Sequence, residues 1–562
     1  MSGFFRITER RFRHNSGMNK KLDAIAALFA AIAEKKPAPI CFGPEEDHAA
    51  FLAANMPTAA DLAAQRETAL PKMPYFLICL FPGGSEKAAA RTEVSLKKQS
   101  YEAWSLMPTE QEDFDFIIFL EAGDTLSEDA LFRFAKAHCT APEADILYAD
   151  EDVLLADGSR GEACCKGDFS RITALSHNAA GRPLAVSRSL YKRAGGMPTA
   201  DNMSIPAAEY DYVLRLSRFA EKVIHLPHIL CTRSKRPLPI PSQAGIKALE
   251  AYMKAEGLDG SASTGICAGS FRIRPALAGK AKTAIIIPSR NNTDTLRRLL
   301  ESIEEYEAFE KYSLIIADAD SDDRRTLRYY DILETNKAAK VIRCGTKGFA
   351  SLANAAAGKA NCETLLFLDS TCEVLTPDWL RAMREMLQLP GVGAVGGKLI
   401  SPTRRILSAG AVAGLCGWVG TAYRNEPDNT AEARKNTFIN TARQVTLLSG
   451  SCMMLRAATF ESMRGFDETF LEAGADADLC LRLMRKNLAC VYTPFASLIL
   501  HGEMPQIAKA DQKTRQRCYD TLRPLLAEGD PFWSPNYSYD SYVPTLCTEQ
   551  KTPLACRQYD TE

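Results

Sequence analysis

Thr283-Ala-Ile-Ile-Ile287-Pro288 opens the stretch from which the fold is read. A short apolar run rich in β-branched residues and closed by proline predicts a buried strand. Thr295 to Ile303 predicts a helix, and Ser313-Leu-Ile-Ile-Ala317-Asp318 a second strand. Lys340-Val-Ile-Arg343 predicts another strand, Ser351 to Ala360 a helix, and Thr364-Leu-Leu-Phe-Leu368-Asp369 a further strand. Alternating strands and helices predict an α/β sheet of the doubly wound, nucleotide-binding kind. Ligands of such sheets gather at the C-terminal ends of the strands.

Moving outward, the pattern occurs twice. Tyr75-Phe-Leu-Ile-Cys-Leu-Phe81 before Pro82-Gly83-Gly84 is an earlier strand. Phe116-Ile-Ile-Phe-Leu-Glu121-Ala-Gly-Asp124-Thr-Leu126 parallels Thr364-Leu-Leu-Phe-Leu-Asp369-Ser-Thr-Cys-Glu373-Val. Glu209-Tyr-Asp211-Tyr-Val-Leu-Arg215-Leu216 parallels Asp476-Ala-Asp478-Leu-Cys-Leu-Arg482-Leu483, each after a glycine turn. This is a duplication with drift. The length of 562 residues agrees, because one core stops growing near ~250–300 residues. The expected division is a helical segment 1–72, a first α/β domain 73–233, a linker 234–281 with Pro237, Pro239 and Pro241, a second domain 282–545 and a tail 546–562.

Composition narrows the function. Lys plus Arg (68) nearly equals Asp plus Glu (69), which argues against electrostatically driven nucleic-acid binding. The seventeen cysteines form no CxxC pair, so they read as buried thiols of a reducing, cytoplasmic compartment. No run of ~18 apolar residues predicts a membrane-spanning helix. Ala24 to Ala33, between Asp23 and Glu34, reads as an amphipathic surface helix, with a membrane foot as the lesser alternative.

The ordered set of motifs in the second half resembles the family 2 glycosyltransferases of GT-A fold, and the tandem-domain enzymes of bacterial surface polysaccharide synthesis among them. The resemblance runs from about Lys282 to Asn536. It rests on Ile285-Ile-Ile-Pro-Ser-Arg-Asn291, Asp318-Ala-Asp-Ser321, Asp369-Ser-Thr-Cys-Glu373, Ser449-Gly-Ser-Cys452, Gly465-Phe-Asp467, Asp476-Ala-Asp-Leu-Cys-Leu-Arg-Leu483 and His501. It implies two GT-A domains, the first degenerate, and sugar transfer with inversion from a nucleoside diphosphate donor to a glycan hydroxyl. A lipid-linked acceptor and peripheral contact with the inner face of the membrane follow from the resemblance alone.

The transfer needs three things, and each has candidates. For the donor these are Pro288, Asp318, Asp369 and Gly450. Asp318 also reads as a turn-capping acid, and Gly450 as part of a tight turn. For the leaving diphosphate, the resemblance implies Mg²⁺ or Mn²⁺ held by Asp369 and His501. The family's Asp-x-Asp is incomplete, because Thr371 stands where the second acid is expected. His501 is the only histidine beyond His228, and a structural role is its plain alternative. For proton removal, Asp476 is the expected general base and Glu472 its rival. Asp478 is expected to cap a helix from Leu479 to Lys486, and Trp379 to pack rather than stack on a sugar.

The first half keeps the outline and loses the chemistry. About eleven residues separate Trp104 from Phe116, where the second half fits a strand, a helix and the Asp318 loop. Glu209 stands at the base position, and the metal-histidine position is expected at Thr232. The competing reading for the whole chain is a catalytically inactive glycan-binding or scaffold protein.

Overall fold

The computed structural model describes residues 46–549 apart from 107–112, 198–202, 278–281, 308–310 and 346–347. Most of the expected N-terminal helical segment, including Ala24 to Ala33, and the end of the tail lie outside the described residues.

The second half is built on a ten-stranded mixed sheet. Lys340–Arg343, Tyr312–Asp318, Thr283–Ser289 and Thr364–Leu368 lie side by side and parallel. Cys452–Arg456 then pairs antiparallel, Val392–Ile400 follows antiparallel to it, and Ala489–Leu500 runs parallel to Val392–Ile400. Cys372–Val374 closes the edge against Leu498–Leu500. Ile285, Ile286 and Ile287 are fully buried because both faces of the sheet are covered. Ile286 faces the core shared with Ala350, Ala353 and Ala356 of helix Phe349–Ala357. Ile285 and Ile287 face the core of Leu296, Leu299 and Ile303 on helix Thr293–Tyr306. The period of two along the strand and the helical spacing together fix which side each element covers.

The first half repeats seven strands of this plan in the same order. Its order is Trp104–Leu106, Phe76–Leu80, Phe116–Leu120, Leu184–Ser187, Ile146–Leu154, Val223–Arg233 and Thr125–Leu126. Every neighbouring pair has the same relative direction as its counterpart in the second half. The helix Arg324–Thr335, the strand Lys340–Arg343 and the helix Phe349–Ala357 have no counterpart among the described residues. The two sheets therefore share strand order and directions, and the first lacks those three elements among the described residues.

A matched clamp appears in each half. Asp478 holds Arg482, whose guanidinium donates to the carbonyls of Met463 and Gly465. Asp211 holds Arg215, which donates to the carbonyls of Ala194 and Gly196. Asp478 is thus not a cap. The helix begins earlier, at Ala475, and the carboxylate is spent one turn on, at the i+4 arginine.

Register fixes further equivalences. With Glu121 set against Asp369, Phe116 matches Thr364, and their antiparallel partners are Ser187 and Arg456. Arg182 then falls at Ser451, and Gly181 at Gly450. With Leu126 set against Val374, the partners are Cys231 and Leu498. His501 therefore corresponds to Ser234 and not to Thr232, which corrects the expectation from sequence. The count along the chain agrees, because Glu209 to Ser234 and Asp476 to His501 both span 25 residues (234 − 209 and 501 − 476).

The segment between the halves packs against both. Helix Ser242–Ala255 lies on the hairpin Gly260–Thr264/Phe271–Pro275, and a Cβ on Gly245 would sit 1.9 Å from the Phe271 ring. Phe271 stacks on Tyr210 of the first half at 5.2 Å, while Arg272 and Arg274 pair with Glu385 of the second. The chain after helix Gln512–Glu528 also crosses back, where Asn536 Nδ2 donates to Asp150 at 2.7 Å.

Candidate active site

A cavity of about 470 Å³ opens at the C-terminal ends of the second-half strands. Pro288, Asp369, Gly450 and Asp476 all line it, so four residues scattered over nearly 190 positions converge (288 to 476). Asp318 and His501 are not among its lining residues.

Asp476 sits in the first turn of helix Ala475–Met484, whose cap is Gly474 at φ 99°. Only a residue without a Cβ adopts that conformation readily, and a side chain there would also strike Cys518 Sγ at 2.5 Å. The turn aims Asp476 into the cavity. Its Oδ2 accepts from the Gly450 N–H at 2.8 Å and its Oδ1 from the Ala477 N–H at 2.9 Å. Burial raises its pKa, and those backbone donors only partly offset the rise. A carboxylate with a raised pKa is a stronger base than an ordinary one. Glu472 also lines the cavity, but it is exposed and accepts from the Asp511 N–H at 3.0 Å.

Asp369 follows strand Thr364–Leu368. Its Oδ1 accepts from the N–H and the hydroxyl of Thr371, at 2.8 and 2.7 Å. The same hydroxyl accepts from the Gly502 N–H at 3.1 Å, and the Thr371 carbonyl accepts from the His501 N–H at 3.0 Å. Thr371 therefore ties the Asp369 corner to the end of strand Ala489–Leu500. The His501 ring turns to Glu373 instead, with Nε2 2.6 Å from Oε2. Among the described residues no group of three or more histidine, cysteine or carboxylate side chains converges on one point. Asp369 and His501 are one hard and one borderline ligand. Hard divalent cations take six or more donors, so a donor diphosphate and water would have to supply the rest.

Asp318 is fully buried and already engaged. Ser321 donates to it through its N–H and its hydroxyl, and Arg343 Nη1 lies 2.8 Å away. Burial works to raise its pKa, but Ser321 and Arg343 outweigh it and hold the carboxyl below its ordinary value. Asn291 ties this loop to the end of the first strand by accepting from the N–H groups of Asp322 and Asp323. Trp379 is buried in the core, as expected.

The other wall was not foreseen. The excursion between strands Val392–Ile400 and Cys452–Arg456 supplies Trp418 and Arg424, and the C-terminal segment supplies Tyr542. The close run of Gly414, Gly417 and Gly420 around Trp418 was the available sequence signal. It builds the small hairpin Val412–Ala413/Val419–Gly420.

In the first half a smaller cavity of about 270 Å³ lies at the equivalent place, lined by Glu121, Arg182 and Glu209. Arg182 is buried, and its guanidinium donates to Glu209 and Asp124 at 2.5 Å each and to Glu121 at 3.4 Å. Glu121 and Glu209 hold the positions of Asp369 and Asp476. Lys235 also pairs with Glu121, and Arg233 with Glu151.

Residues 284–462 match the family described as glycosyl transferase family 2. The chain is 30% identical over 435 residues to an O-antigen biosynthesis protein of Myxococcus xanthus, covering 75% of this chain and 34% of that protein. It is 30% identical over 118 residues to an N-acetylglucosaminyl-diphospho-decaprenol L-rhamnosyltransferase of Mycobacterium tuberculosis, covering 20% of this chain and 38% of that protein. The chain thus spans about a third of the length of these curated relatives. A crystal structure of GalNAc-T7 with UDP, GalNAc and Mn²⁺ aligns at TM-score 0.36 and 16% identity, over 45% of this chain and 49% of that one. No helix among the described residues is long and apolar enough to cross a membrane.

Proposed function

Residues 284–462 belong to glycosyl transferase family 2, and on that premise we propose that the second half moves a sugar from a nucleoside diphosphate sugar to a glycan hydroxyl with inversion. The observation that carries this reading is the convergence of Pro288, Asp369, Gly450 and Asp476 on one cavity at the strand ends. Asp476 takes the acceptor hydroxyl proton as the oxygen bonds to the anomeric carbon. The bond from that carbon to the diphosphate oxygen breaks on the opposite face, and the diphosphate departs with its electron pair. The Gly450 and Ala477 N–H groups each hold one carboxylate oxygen, and each oxygen keeps a further lone pair for the hydroxyl. The strand-end wall at Pro288 and Asp369 takes the donor, with Asp318 and Arg343 shaping the loop beside it. A divalent ion held by Asp369 and the donor, joined by His501 once its ring leaves Glu373, would neutralise the leaving diphosphate.

The relatives' names point to surface polysaccharide as the product and to a lipid diphosphate-linked acceptor. The first half is a non-catalytic partner domain, and the engagement of its Glu209 and Asp124 by Arg182 supports that assignment. The test is release of nucleoside diphosphate from a panel of sugar nucleotides supplied with a membrane extract as acceptor. Release that vanishes in Asp476→Asn supports the enzyme. Wild-type protein that binds none of the panel, with or without Mn²⁺, leaves the scaffold reading in its place.

A further inference from the structure

Among the described residues, the charged side chains lining this cavity are three carboxylates (Asp369, Glu472 and Asp476) and one cation, Arg424. A site for a phosphate-bearing ligand with that charge pattern places unusual weight on Arg424. Arg424 is partly buried and lies over the Tyr542 ring, with its guanidinium carbon 5.7 Å from the centroid. Its side chain makes no hydrogen bond or ion pair with any described residue, although a guanidinium carries five N–H donors. Neighbouring arginines are spent differently. Arg443 donates to the carbonyls of Phe438 and Ala409, Arg343 to Asp318, and Arg482 to Asp478.

The backbone around Arg424 is held at some cost. Tyr423 and Asn425, on either side, both adopt left-handed φ values of 61° and 66°. For a bulky tyrosine this is a conformational outlier, and such strain persists only where the surroundings impose it. Here the Tyr423 N–H donates to the Tyr542 carbonyl at 2.7 Å, and the Arg424 N–H to the Thr421 carbonyl at 3.1 Å. The strained turn thus presents a preorganised guanidinium, unpaired among the described residues, on an aromatic platform inside the cavity.

We propose that Arg424 is the anion anchor of this cavity and takes two phosphate oxygens through its planar fork. The phosphate belongs either to the donor diphosphate or to a phosphorylated acceptor. Naming these two sources rests on the transfer reading above, but anion binding itself does not.

The test measures equilibrium binding to the full chain in chelator, with inorganic pyrophosphate, UDP, GDP and glucose 1-phosphate as probes. The variants are Arg424→Ala, Arg424→Lys and Arg424→Gln. Glutamine keeps the packing on Tyr542, so it reads charge loss apart from any local unfolding. Wild type binds pyrophosphate, and the Ala and Gln variants bind it at least about tenfold more weakly. Lysine restores part of the affinity as a point charge. If UDP or GDP weakens in parallel, the anchored phosphate is the donor's. If only glucose 1-phosphate weakens, it is the acceptor's. Equal affinities for all probes in wild type and Arg424→Gln would overturn the proposal, as would wild type that binds no probe at millimolar concentration. The transfer reading fails separately, through nucleotide release that survives Asp476→Asn.

Discussion

The Gly450 N–H donates to Oδ2 of Asp476 across 2.8 Å, which joins the loop before strand Cys452–Arg456 to the helix that begins at Ala475. The bond leaves the carboxylate aimed and partly desolvated. Asp476→Asn is expected to lower kcat by about 10²–10⁴-fold while the donor KM changes little. Glu472→Gln, on the exposed rim, should leave kcat nearly unchanged. The acid limb of the pH profile for wild type should lie above the ordinary carboxylate value of 3.8, because Asp476 must be ionised and burial raises it.

Gly450→Ala tests position without touching charge. A Cβ there would meet the Phe349 ring at 2.9 and 3.0 Å and the Asp476 Cβ at 3.4 Å. Either the ring or the loop must move. A shift near ~1 Å at the base is expected to cost about 10²-fold in kcat with little change in Tm. Steady-state kinetics beside a thermal melt separates the two effects.

Thr371→Asp places a second carboxylate beside Asp369 and removes the hydroxyl that now holds it. Mn²⁺ affinity, followed by the loss of free-ion signal, is expected to tighten by about tenfold or more as the ligand count rises. Unchanged affinity would mean that a metal is held elsewhere or is not used.

Arg182→Met leaves Glu121, Asp124 and Glu209 around a neutral side chain. Removing one partner from a buried ionic cluster costs about 3–5 kcal/mol, to be read from urea unfolding at neutral pH.

Asp530 is a pH-sensitive joint in the second half. It accepts from the Thr446 hydroxyl and the Ala413 N–H, and burial pushes its carboxyl up to about 6. Between 3.8 and that value the folded chain binds the extra proton, so this residue's contribution is full at low pH and lost as the pH rises through 6. The change amounts to about 3 kcal/mol. Asp530→Asn should be flatter than wild type when Tm is compared at pH 4.5 and 7.5.

Local pattern made much of this legible. The buried run Thr283–Ser289 could only be a strand covered on both sides, and the echo of Phe116–Leu126 in Thr364–Val374 exposed the duplication. Asp478 was misread because Asp at a helix start resembles a cap, whereas its real partner, Arg482, lies one turn along. The Thr232 expectation was a miscount, because Glu209 to Ser234 spans the same 25 residues as Asp476 to His501 (234 − 209 and 501 − 476).

By itself the sequence determined the strand and helix order, the two related halves and the residue types that ring the strand ends, because hydrophobic period and turn chemistry are local. Only the tertiary structure decided who meets whom. It turned His501 to Glu373, spent Asp318 on Arg343 and laid Arg182 among three carboxylates. It also brought Arg424 and Tyr542 to the cavity from segments over a hundred residues apart (424 and 542). Side-chain pairing depends on strand register and on where long excursions return, and neither is written in the spacing of residues along the chain.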